Sequence, residues 1–117
     1  YATFTNDRTF VAPRIGSTAS SATPTPNADT TDIYLVTALA EAATFGAPTG
    51  TPVQGQALMI RIKDNATPRT LAWNAIYRST TTGTLPTTTT TSKELYVGFI
   101  YDATATKWDC LGTGEVV

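Results

Sequence analysis

Histidine is absent from the 117 residues. That removes the commonest general base and the commonest transition-metal ligand together. A single cysteine, Cys110, has no partner for an internal disulfide, and its place beside Trp108 in a strand-like run marks it as a small core residue rather than a reactive thiol. Charge is sparse: eight Lys and Arg stand against nine Asp and Glu, scattered without runs. A nucleic-acid surface gathers Lys and Arg, so no nucleic-acid partner is expected. No apolar stretch nears the roughly 20 residues of a membrane-spanning helix, and no membrane insertion is expected. A Gly-rich phosphate loop, a Ser/His/Asp set and metal-spaced cysteines are likewise missing. The chain starts at Tyr1 with neither an initiator Met nor an apolar signal segment, and so reads as a piece of a longer polypeptide.

Threonine, by contrast, supplies over a fifth of the residues, with Ala, Gly and Pro filling much of the rest. Thr favours strands, while Gly and Pro favour turns, so the composition predicts an all-β domain. The plainest strands are Gln56 to Asp64 and Glu94 to Asp102. In the first, Leu58, Ile60 and Ile62 share one face and Met59, Arg61 and Lys63 the other, because side chains alternate along a strand. Each is followed by a polar turn and a tryptophan strand, Thr70 to Trp73 and Lys107 to Leu111, which predicts two hairpin-like halves of one core. Trp73 and Trp108 are expected to fill that core, with Asp64 and Asp102 setting the turns. A further strand over Ile33 to Leu39 places Ile33, Leu35 and Thr37 on one face, and another is expected over Glu41 to Phe45. Thr23-Pro24-Thr25-Pro26-Asn27 reads as a stiff, edge-like lead-in, since Pro cannot donate a ladder hydrogen bond. Ser79 to Ser92 is Thr-rich and broken by Gly83 and Pro86, the pattern of an exposed loop with no core to bury. Gly112 to Val117 is a tail or a last edge strand.

The predicted architecture is an antiparallel, jelly-roll-like β-sandwich of seven to eight short strands over residues 23–117, preceded by an extended, shaft-like or linker segment over residues 1–22. That segment holds too little apolar surface to fold alone, and must pack on the following domain or on copies of itself.

Carboxylates are the only acid–base candidates. Glycoside hydrolysis needs two of them facing across a cleft, whereas Asp64 and Asp102 occupy equivalent strand-to-turn positions where Asp binds the turn backbone. Asn27, Asp29 and Asp32 lack the spacing of a Ca²⁺ loop. Asn65-Ala66-Thr67 matches a glycosylation sequon, a match short enough for chance. No catalytic, cofactor or metal site is therefore assigned. Tyr34, Tyr77 and Tyr96, off the tryptophan faces or in irregular sequence, are the surface candidates for receptor contact, since a Tyr ring combines apolar area with a polar tip.

The series Ser21 to Asn27, Asp32 to Leu39, Gly50 to Asp64 and Arg69 to Trp73, with the closing Leu95 to Asp102 and Lys107-Trp108, resembles small all-β domains of tailed-bacteriophage structural proteins, particularly in tail fibres and other virion appendages. The likeness spans about residues 20 to 112. Phe10 to Gly16 is similar to short repeats found where fibre shafts meet terminal domains. The resemblance implies a non-enzymatic structural or adhesive domain on the outside of a virion, assembled as a homotrimer with other virion proteins and touching a host-surface glycan or protein. The alternatives are a capsid decoration or head-fibre protein, a carbohydrate-binding module and, last, an enzyme such as a polysaccharide depolymerase.

Overall fold

The computed structural model describes residues 12–117, all of them in strands, turns and irregular segments without a helix. Eight strands form in chain order: β1 (Ile15–Thr18), β2 (Ile33–Leu39), β3 (Ala43–Phe45), β4 (Ala57–Asp64), β5 (Leu71–Trp73), β6 (Tyr77–Arg78), β7 (Leu95–Asp102) and β8 (Lys107–Glu115). Six build one sheet in the order β1-β2-β4-β7-β8-β6, and β3 pairs β5 in a second sheet of two.

The sheet is mixed, which corrects the antiparallel expectation. β4, β7 and β8 run antiparallel, but β1 with β2, β2 with β4, β6 with β8 and β3 with β5 are parallel. Chain length between partners permits this: β1 to β2 and β2 to β4 are joined by connections of a dozen residues or more, as parallel neighbours require. Among the described residues only β7 and β8 form a hairpin. The other expected hairpin does not exist, because after Asp64 the chain leaves the large sheet and β5 joins β3 instead.

Alternation sends Leu58, Ile60 and Ile62 of β4 and Val97 and Phe99 of β7 to one face, with Trp108 and Cys110 of β8 beside them, all buried. The small sheet packs on this face through aromatic rings: Phe45 stacks on Trp73 at 4.4 Å and Trp73 meets Phe99 at 5.7 Å, while Tyr77 of β6 lies 5.0 Å from Phe99. Trp108 fills the core as expected, whereas Trp73 is half-buried and donates its indole N–H to Pro86 O at 2.7 Å.

Pro24 and Pro26 are fully buried. Ala22, Pro24 and Pro26 turn their carbonyls toward Thr44 N, Gly46 N and Thr49 N at 2.9 to 3.0 Å. An edge that only accepts needs no N–H, and Pro suits it. The described part of the 1–22 segment is stitched into the large sheet through β1, with Arg14 O accepting from Asp32 N and Ile33 N. Residues 1–11 of the shaft-like segment lie outside the described residues.

The Thr-rich 79–92 segment is a largely exposed loop, as expected, but it is not without core contact. Thr89 is buried, Leu85 packs on the core, and Gly83 lies against β8 so closely that a Cβ there would strike Cys110 O. The tract is a strap over the core. Of the two expectations for 112–117, a tail or a last strand, the strand is found, since β8 continues to Glu115.

Candidate functional site

Among the described residues nothing packs across the opposite face of the large sheet, and ladder register sets what it displays. One row crosses five strands as Ile15, Ile33, Met59, Gly98 and Gly112. The next reads Ser17, Leu35, Arg61, Tyr96 and Gly114. Side-chain size falls away toward β7 and β8, leaving a groove of about 1220 Å³. Its far wall is Leu111, 57 % exposed, the extra residue of a bulge where Gly98 pairs Gly112 but Phe99 already pairs Cys110. Met59 and Tyr96 stand exposed on the near side, and Val53 closes one end.

Why the floor is flat can be read from its glycines. A Cβ on Gly112 or Gly114 would meet nothing within 4 Å, and neither residue has the left-handed backbone seen at Gly50 and Gly55. Neither packing nor conformation within the chain demands glycine there. Interior strand glycines weaken a sheet, and often mark where another backbone or a ligand approaches.

Charge is placed unevenly along the groove. At the end where β4 begins, Arg14 donates from Nε and Nη2 to the two oxygens of Asp32 at 3.2 and 2.8 Å, and Asp29 accepts from Thr51 N at 2.8 Å. Gln56 secures the same end by donating to Ala28 O at 2.7 Å. Arg61 and Lys63 fall on the same sheet face by alternation but lie outside the residues that line the groove, and neither joins an ion pair among the described residues. Asp29 joins none either.

The three tyrosines part company. Tyr96 lies on the groove. Tyr34 turns to the core side and is half-buried, which raises its phenol pKa against a smaller opposing contribution from a backbone hydrogen bond at Thr25. Tyr77 is not at the surface as expected: it is 4 % exposed and donates its hydroxyl to Gly46 O at 2.9 Å. Burial pushes its pKa far upward, with Tyr34 adding to the effect. The physical reason is the short β6, whose parallel pairing with β8 puts Tyr77 opposite Trp108.

Asp64 and Asp102 are turn residues. Asp102 accepts from Thr104 N and Ala105 N at 3.0 and 3.2 Å. Asp64, buried, accepts from Ala66 N, Ser92 N and the Thr89 hydroxyl at 3.1, 2.8 and 2.8 Å. Burial alone would raise its pKa, but those three hydrogen bonds and the Arg69 guanidinium outweigh it and hold the carboxyl below its ordinary value. Cys110 is buried, and burial raises its thiol pKa against a weak contact with Gly112 O. Among the described residues, no helix is long and apolar enough to cross a membrane.

Of the three tyrosines only Tyr96 lines the groove, and the groove itself was not anticipated from the sequence. The signal was the Gly112-Thr113-Gly114 spacing, which puts two glycines on one strand face. No family model, curated protein or solved structure matches the chain.

Proposed function

We propose that this chain is a non-enzymatic structural protein of a bacteriophage virion, a fibre or appendage domain on the particle's outer surface that serves assembly and host attachment. The observation that carries this reading is the sheet face on which Met59, Tyr96 and Leu111 stand exposed around a glycine floor, a surface shaped for contact. The sequence resemblance supplies the setting. In this reading the two sheets are the layers of a β-sandwich, and three copies share an axis. Copies held together turn weak individual contacts with a host surface into avidity.

Sedimentation equilibrium of the intact chain tests it. The expected mass is three times the 12.4 kDa chain. A strict monomer at all concentrations overturns the assembly.

A second reading, a carbohydrate-binding module, draws on Tyr96, whose exposed ring flanks the flat floor as a sugar-stacking residue does. Glycan-array binding by a monomer, lost in Tyr96→Ala, would favour it.

A further inference from the structure

We infer that the turn at residues 80–83 terminates the large sheet, closing the flank of β8 against the addition of another strand. The inference goes beyond the virion reading and does not rest on it.

The flank needs closing because β6 is too short to do it. β6 pairs with Trp108 and Asp109 alone, whereas β8 runs on to Glu115. Without further cover, residues 110–115 would stand as a bare edge as long as a typical strand, ~5–6 residues, and such an edge templates pairing with another chain. The chain covers it with a turn instead of a strand. Thr80 donates its hydroxyl to Cys110 O at 2.7 Å and Thr82 its hydroxyl to Leu111 O at 3.4 Å, so hydroxyls take the place of ladder amides. Gly83 is buried against the same stretch, where a Cβ would strike both Cys110 O and Gly112 N. The turn also spends its own backbone inward: Thr80 N donates to Gly83 O at 2.9 Å, and Gly83 N to Thr80 O at 3.3 Å. A strand laid on β8 would carry the ladder forward to a fresh edge, whereas both ends of this turn have no ladder group left to offer. Among the described residues, what stays uncovered on this flank is residues 113–115, shorter than a typical strand. The order Thr80-Thr81-Thr82-Gly83 fits this use, with hydroxyls at alternate positions on β8 and glycine where a side chain has no room.

Sedimentation velocity and amide hydrogen exchange on the full chain test the inference in the wild type, in Gly83→Val and in the double variant Thr80→Val with Thr82→Val. The first variant forces the turn off the edge; the second keeps side-chain volume and removes only the hydroxyls. Growth is read against the wild-type mass, so the number of copies in the wild type does not decide the outcome. The expected result is that both variants form species of growing mass at concentrations roughly tenfold or more below any at which the wild type does. In those species the amides of residues 111–115 should gain protection, while the central amides of β4 and β7 exchange as in the wild type. Wild-type mass in both variants overturns the inference. Larger species in which the β4 and β7 amides have lost protection overturn it too, since association then follows unfolding and the turn supports the fold without guarding its edge.

Discussion

Asp64 closes β4 with only 3 % of its surface exposed, and three donors converge on its carboxylate. Their hydrogen bonds favour the ionised form, so the folded protein holds this group below its ordinary value of 3.8. A depressed folded pKa gives stability that is fully present above 3.8 and is lost as pH falls through the lower, folded value. Asp64→Asn keeps the shape and removes the charge. The expected cost near neutral pH is about 1.5–3 kcal/mol, the range for hydrogen bonds to a charged group. Urea melts at neutral pH and at successively lower pH check both parts: the variant should start lower and show a shallower acid decline below 3.8. That Asp64 binds backbone N–H groups was legible from its place before a polar turn. That it also anchors Thr89 and Ser92 was not, because those residues lie 25 and 28 positions away.

At the scale of elements, alternation told which face of β4 and β7 is buried, since a two-residue period fixes side-chain direction whatever lies alongside. It could not tell which strand lies alongside, or in which direction. Those depend on connections, and the connection after β4 releases the chain to β3 rather than returning it. The same blindness hid the strap. Thr89 looks like any of its Thr neighbours in sequence, yet its hydroxyl donates to Asp64 and accepts from Arg69 N at 2.8 Å in each case. The strap's backbone then pairs with the approach to β5 through Leu71 N to Thr87 O and Thr89 N to Arg69 O. Thr89→Val keeps the volume and breaks both side-chain bonds. Hydrogen exchange should show faster exchange at Leu71, Thr89 and Ser92 while the central amides of β4 and β7 stay protected. Equal protection throughout would mean that backbone pairing alone holds the strap.

For the whole molecule, composition changes near residue 22, and the described part of the segment before it pairs with β2 in the large sheet. Arg14 O, Ala19 O and Ala22 O accept from Asp32 or Ile33, from Ala38 and from Thr44. A chain starting at residue 23 loses all of these and leaves β2 as an open edge. It should melt lower than the full chain and scatter light on heating; identical melts would show that 23–117 folds alone. Strand order carries a further consequence, for the chain as it is made. β8 sits between β7 and β6, and is the sole ladder partner of β6. Until Lys107 to Glu115 leave the ribosome, Tyr77 has no strand to lie on and β7 keeps a bare flank. The nascent chain therefore emerges with most of its apolar residues made but its sheet unclosable, exposed to chaperones and to neighbouring nascent chains on the same message.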